Sequence, residues 1–307
     1  LSLNELIGRK SVGRPCVPTL NFIVGNRQCN MECKYCISKM TKAELSKRGE
    51  VSPLWYRNRR LAFSVAKKFS TDTVLITGKG EPTIWKTELL DTIARASDEG
   101  FITELQTNGV LLDESYCIHL AGAGLNTIAI SRVTVDTATN NWICDPIHFS
   151  TPNLHQLIPM IQRLEIKMNI RITFVAMKGY NDSVEKIEKT CLWALSNGVK
   201  QVTIRRMGMP NLSSIESLDS AFEIEKFVTD NLVPDEEWKK IIDFFMKEYT
   251  ILRVFDWGSI SWSINGVQCL IADCLTVPGL DGTIRYLIYY PDGHLRYSWE
   301  HDSTIIF

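Results

Sequence analysis

From about residue 18 the chain alternates short, β-branched apolar runs with stretches of helical periodicity, and that rhythm leaves few folds open. Strands are predicted over Pro18–Val24, Thr73–Thr77, Phe101–Gln106, Leu125–Ser131, Ile170–Ala176 and Gln201–Arg206. Between and after them, helices are predicted over Leu54–Lys68, Lys86–Asp98, Ser115–Ala121, Asn153–Glu165, Val184–Ser196 and Asp235–Tyr249. Most end near a glycine, as at Glu99-Gly100 and Asn197-Gly198, which suits a helix that must stop before the next strand. Strands joined through helices pair in parallel, because the chain needs a crossover to return to the same edge. Six such units, each of about 30 to 45 residues, make an α/β fold of the partial (β/α)6, TIM-like barrel type, with an open side that admits substrate.

The rhythm changes after Arg206. A serine-rich, acidic stretch (Asn211–Glu225) precedes the helix at Asp235, and a Trp-rich segment follows it. Pro291-Asp292-Gly293 then supplies a hairpin turn within Thr283–Trp299. Strand alternation there puts Tyr289 and Tyr297 on a different face from Tyr286 and Tyr290, so some of these rings are core. The expected organisation is an N-terminal extension (1–17), a barrel core (18–210), and a C-terminal α+β cap with a β-hairpin (211–307) that is not an independent domain.

A chain of 307 residues with 45% hydrophobic content can bury a sizeable core. Thirty-four basic against 35 acidic residues, a net charge of -1, argue against the positive field that broad nucleic-acid binding uses. There is no apolar run of about 18 residues and no charged-then-apolar start, so no membrane segment is expected and the chain reads as soluble and cytoplasmic.

Of nine cysteines, three fall within eight residues: Cys29-Asn30-Met31-Glu32-Cys33-Lys34-Tyr35-Cys36. In a cytosolic chain such a CxxxCxxC cluster reads as metal or redox chemistry. Three thiolates hold three irons of a cubane and leave the fourth open, whereas an electron-transfer cluster normally has four cysteines. The rival reading is zinc, but a closed structural zinc site wants a fourth ligand that the neighbourhood lacks.

CxxxCxYC after a first strand resembles the radical S-adenosylmethionine (radical SAM) superfamily. Three further matches lie in order. Thr77-Gly78-Lys79-Gly80-Glu81-Pro82-Thr83 resembles the family's GGE element, with Lys79 departing from the all-glycine form; Gln106-Thr107-Asn108-Gly109 resembles its strand-end turn; Ile130-Ser131-Arg132 ends the fourth strand. The resemblance, over about residues 18–210, implies one 4Fe-4S cluster on Cys29, Cys33 and Cys36. It also implies SAM on the open iron, with Gly78, Lys79, Gly80 and Glu81 receiving its amino group. Asn108 and Ser131 then lie near the cofactor, Arg132 or Arg171 against its carboxylate, and Tyr35 and Met207 beside its adenine. A flavodoxin- or ferredoxin-like protein would deliver the electron.

Other residues carry weaker signals. Cys269 and Cys274 are candidates for a second cluster, with Cys16 and Cys144 unplaced, although buried inert thiols are the plainer reading. Cys274 and His294 are candidate catalytic groups, and His301 is a further isolated histidine. Of Arg205-Arg206, one alternates inward and is a candidate for a carboxylate or phosphate of substrate. Arg57, Arg59, Arg60, Lys67 and Lys68 read as a solvated helix face. The expected substrate is a small polar metabolite, a nucleotide or a peptide side chain. Only about 17 residues precede the first strand, which tilts slightly away from leader-peptide recognition, yet modification of a ribosomally made peptide by epimerisation or crosslinking stays open. The alternative of another class is a noncatalytic Fe-S or zinc protein that binds or senses.

Overall fold

The computed structural model describes residues 17–36, 38, 52–147, 150–209, 218–255, 259–274, 284–299 and 304–307. Six strands follow the predicted rhythm: β1 (Thr19–Ile23), β2 (Thr73–Thr77), β3 (Ile102–Thr107), β4 (Thr127–Arg132), β5 (Asn169–Ala176) and β6 (Gln201–Arg206). Between them run α1 (Pro53–Lys68), α2 (Lys86–Asp98), α3 (Glu114–Gly122), α4 (Thr137–Cys144), α5 (Leu154–Arg163) and α6 (Val184–Ser196). The chain continues through α7 (Leu218–Asn231), α8 (Asp235–Glu248), β7 (Thr250–Val254), β8 (Ile260–Ile264), β9 (Val267–Ala272), β10 (Leu287–Tyr289) and β11 (Leu295–Arg296).

These strands form one sheet in the order β11-β10-β1-β2-β3-β4-β5-β6-β9-β8-β7. The parallel run therefore exceeds the expected six strands. β10 pairs in parallel with β1, and β9 with β6, so the tail extends the barrel at both edges. The rims are antiparallel: β11 on β10, and β8 and β7 beyond β9. The predicted hairpin at Pro291-Asp292-Gly293 joins β10 to β11. α4, α7 and the β7–β9 meander lay outside the sequence expectation, α7 beginning within the stretch read as serine-rich and acidic.

Each strand has one apolar and one mixed or polar face. Leu20 and Phe22 of β1, Val74 and Ile76 of β2, Ile128 and Ile130 of β4, Ile172 and Phe174 of β5, and Val202 and Ile204 of β6 share a buried core with the helices. Phe22 meets Trp55 of α1 edge-on at 5.5 Å and Phe63 in a stack at 5.4 Å, with Tyr289 at 4.8 Å. Tyr289 thus belongs to the outer core, while Tyr290, with Ile23, Ile288, Tyr286 and Trp299, forms a separate cluster on the other face.

The other face is concave. Arg171 of β5 holds Glu104 of β3 through two hydrogen bonds of 2.8 and 2.9 Å, reaching over β4 between them. Bridging two inter-strand spacings of about 4.8 Å, this pair puts β3 and β5 on one shared inner face, the side away from the helices. The inner face is thereby the lumen of a partial barrel. Trp55 is fully buried between α1 and β1, so Trp55→Ala should lower unfolding stability by about 3–5 kcal/mol in a denaturant titration.

Candidate active site

The loop Cys29–Cys36 leaves the carboxyl end of β1, where barrel folds place their chemistry. It is held from both sides. Toward α4, the Glu32 amide donates to the carbonyls of Cys144 (3.2 Å) and Asp145 (2.9 Å), and the Ile147 amide donates to Asn30 O at 3.1 Å. Toward β2 and β3, the Glu81 amide donates to Gln28 O at 3.0 Å and Asn108 Nδ2 to Asn30 Oδ1 at 2.6 Å. Gly80 is required there: a Cβ on it would lie 2.0 Å from the Gln28 carbonyl oxygen.

Cys29, Cys33 and Cys36 are free thiols, each partly exposed. Burial pushes the Cys29 thiol up to about 11, and the neighbouring Glu81 and Cys36 add to that. Cys33 is raised first by a hydrogen bond with the Cys144 thiol, then by burial and by Cys36 and Cys29. Clustered thiols that resist ionisation, as Cys29 and Cys33 do, suit a cationic iron site, which relieves that resistance. Among the described residues no three His, Cys, Asp or Glu close round a single-ion site, so the fit rests on the chemistry of this donor set.

The predicted Gly78–Glu81 turn lies beside the loop. Glu81 is buried, and its carboxylate is met by four protein donors: Oε1 accepts from the Thr83 amide (3.0 Å), Thr83 Oγ1 (2.5 Å) and Thr107 Oγ1 (2.6 Å), and Oε2 from the Asn108 amide (2.8 Å). Burial raises its pKa while those bonds oppose the rise. Its carboxylate ties the end of β2 to the end of β3, within the turn that the resemblance assigns to the SAM amino group. Lys79 is buried near the faces of Tyr290 (5.8 Å) and Trp299 (5.7 Å).

Both arginines expected at a SAM carboxylate have protein partners. Arg132 is buried and donates to the carbonyls of Asn108 (2.9 Å), Ser131 (2.7 Å) and Pro152 (3.0 Å), its pKa lowered to about 10 by burial. Arg171 is paired with Glu104. The Ser131 hydroxyl faces the lumen and accepts from Gln106 Nε2 at 2.6 Å. From Glu104 a polar belt runs through Arg171, Gln201 (3.3 Å), Gln268 (3.1 Å) and Ser261 (3.4 Å) across β3, β5, β6, β9 and β8.

An apolar patch borders the thiols. Met207, Met31, Met177, Val133 and Ile143 pack with Cys29, Cys33 and Tyr35, and Ile224 and Val228 of α7 join them. Tyr35 and Met207, both expected beside adenine, are thus brought together. The other candidates lie apart. Cys269 is in the outer core, where it hydrogen-bonds Cys191 of α6. Cys274 follows β9, with its carbonyl accepting from Arg285. His294 pairs with Asp292 in the β10–β11 turn, 3.2 Å away. Cys16, Trp257 and His301 lie outside the described residues.

Cys144 is the residue that sequence reasoning left unplaced. It ends α4 with its thiol 3.4 Å from the Tyr35 hydroxyl and against Cys33. The bond with Cys33, together with Tyr35 and Arg132, lowers its pKa to about 7. No spacing relates residue 144 to the cluster; Glu104, by contrast, was visible in the alternation of Glu104 and Gln106 with Leu105.

Two substitutions test this construction. Gly80→Ala should push the turn off Gln28 and lower iron retained per chain after anaerobic reconstitution, with the melting temperature falling as well. Cys144→Ala leaves the Tyr35 hydroxyl without its buried partner, at a cost of about 1–3 kcal/mol, and should loosen the loop, seen as faster amide exchange over 29–36 while the β4–β5 core stays protected.

A sequence model of the Radical SAM superfamily matches residues 23–221. Among solved structures, SuiB of Streptococcus suis bound to precursor peptide SuiA aligns with a TM-score of 0.54 at 16% identity, over 91% of this chain and 58% of that one. SuiB bound to S-adenosylmethionine gives 0.55 at 16% identity, over 92% and 60%. anSMEcpe with bound AdoMet gives 0.53 at 14% identity, over 92% and 75%. The chain thus spans less than two thirds of SuiB, and at these identities the likeness is one of fold. The family match takes in the three clustered thiols, the Gly78–Glu81 turn and every strand-end turn from β2 to β6, and the chain belongs to the Radical SAM superfamily.

Proposed function

We propose that Cys29, Cys33 and Cys36 hold one 4Fe-4S cluster with SAM at its open iron, and that this enzyme takes a hydrogen atom from a polar substrate lodged in the barrel lumen. The observation that carries the reading is the placement of three unpaired thiols of one loop at the mouth of a lumen lined by Gln106, Ser131, Thr173, Arg171 and Gln201. When bound, the reduced cluster would supply one electron to the SAM sulfonium, whose C5'–S bond would break to give methionine and a 5'-deoxyadenosyl radical.

The chain's own residues supply position and exclusion. Glu81 and Asn108 hold the loop to the ends of β2 and β3, so the thiols keep one geometry. The methionine-rich patch, roofed by Ile224 and Val228, keeps water from the side where Tyr35 and Met207 meet. Below it the lumen turns polar, which suits hydroxyl, amide or charged groups of a substrate rather than an aliphatic chain. Lys34, in the cluster loop with its ammonium 4.8 Å from the ring of exposed Trp142, marks a face for a flavodoxin- or ferredoxin-like donor.

A small metabolite, a nucleotide and a peptide side chain all meet the polarity requirement. The peptide reading draws support from the shared fold of SuiB and anSMEcpe, the latter also observed with AdoMet and the Cp18Cys peptide at a TM-score of 0.51. Either way the first step is the same.

The test is anaerobic reconstitution with iron and sulfide, then dithionite reduction with SAM while 5'-deoxyadenosine is assayed. About four irons per chain and deoxyadenosine are expected, with both lost when Cys29, Cys33 and Cys36 are replaced together by alanine. Cleavage retained by that triple variant would falsify the assignment. Bound zinc without cleavage would make the chain a binding protein, and about eight irons would establish a second cluster.

A further inference from the structure

The cysteine loop and the end of α4 meet as a short antiparallel ladder. Met31 bridges Pro146, with the Ile147 amide on Asn30 O at 3.1 Å and the Glu32 amide on Asp145 O at 2.9 Å. Residues two apart along an extended chain share a face, so the next such pair in this register is Cys33 and Cys144. The Glu32 amide also reaches Cys144 O at 3.2 Å, which keeps the two backbones together at that step. Backbone pairing thus brings Cys144 to Cys33, and their thiols share a hydrogen bond.

The surroundings favour a weak donor. Cys144 is 3% exposed and lies in the apolar cluster of Met31, Val133, Ile143, Met177 and Met207, which shields an S–H from competition with solvent. The Tyr35 hydroxyl lies 3.4 Å from Cys144 Sγ. A phenol is the stronger donor of the two, so Tyr35 gives its hydrogen to Sγ and the thiol's own hydrogen is left for Cys33. An iron-bound thiolate carries no proton. In the loaded site, therefore, a hydrogen shared by these two sulfurs belongs to Cys144.

Resting on the cluster reading above, we propose that Cys144 is a positioning residue acting through Cys33: its S–H donates to the Cys33 sulfur and raises the reduction potential of the iron-sulfur centre. Reduction adds one negative charge to the irons and their sulfurs, and a donor on a ligating sulfur stabilises that charge. Tyr35, donating in turn to Cys144, polarises the thiol and strengthens its bond. A higher potential lets the centre take its electron from a weaker reductant, with the three ligands unchanged.

The measurement is a dye-mediated redox titration of the reconstituted full chain without SAM, followed by electron paramagnetic resonance of the reduced cluster. Cys144→Val, which fills the thiol's space without a donor, should make the cluster harder to reduce. The expected shift in the one-electron equilibrium is about three- to tenfold, a fall of about 28–59 mV. Cys144→Ser, which keeps an O–H donor, should recover most of it. The sign separates this role from a structural one, because a loosened loop admits water, which stabilises the reduced cluster and raises the potential. An unchanged or raised potential in Cys144→Val, or a Cys144→Ser potential no higher than that of valine, overturns the proposal. Should the valine variant retain no iron, Cys144→Ala stands in for it, and its potential must lie below that of Cys144→Ser. Loss of the cluster from both overturns the proposal as well, since Cys144 would then be a requirement of assembly. Iron content and the reduced-cluster signal of the wild type report separately: their absence overturns the cluster reading, and this proposal with it.

Discussion

The site depends on one buried carboxylate. Glu81 collects the Thr83 amide and hydroxyl, the Thr107 hydroxyl and the Asn108 amide, and so fastens the end of β2 to the end of β3. Its own amide, and the side chain of Asn108, then fasten the Cys29–Cys36 loop to both. A carboxylate taken out of water is stable only when its lone pairs are met, and here the donors come from segments far apart in sequence. Satisfying one charge therefore brings together the groups that must act together. Gly80 permits it, because only a residue without a side chain lets those backbones approach so closely.

The second constraint is the sidedness of the sheet. Helices cover the outer face and bury the aliphatic residues of each strand, including Phe22 against Trp55. That face holds the fold together and leaves the inner one to other demands. The inner face carries Glu104, Gln106, Ser131, Arg171, Thr173, Gln201, Arg205 and Gln268, much of it linked by hydrogen bonds from strand to strand. A parallel strand with helices on both sides would read as a continuous apolar run; these strands alternate because one of their faces lines a lumen.

The first six strands were legible because period-two runs between helical patterns leave little choice, and β2 and β6 match the predicted bounds to the residue. Of the later strands the β10–β11 hairpin was read and the β7–β9 meander was not, although a signal was present. Asn265-Gly266 has both residues at positive φ, 50° and 83°, between Ile260-Trp262-Ile264 and Val267-Cys269-Ile271, a compact hairpin signature. The Trp-rich composition hid it. That β9 then joins β6 in parallel, and β10 joins β1, no local pattern states, since each pairing spans dozens of residues. α4 escaped for a different reason: it has eight residues and little amphipathic contrast, and it is set by the Asp136 cap.

By itself the sequence determined the rhythm of the core, the family, the three thiols and the glycine-bearing turn, because spacing within a loop or along a strand is a local property. Only the tertiary structure decided what those residues meet. It set Glu81 among four donors, Arg132 on three carbonyls, Arg171 on Glu104, and Cys144 against Cys33 and Tyr35. It also sent Arg206 outward to Val233 and Asp235. Side-chain partners follow from curvature and strand order, which the closing of the whole sheet sets rather than any stretch of chain.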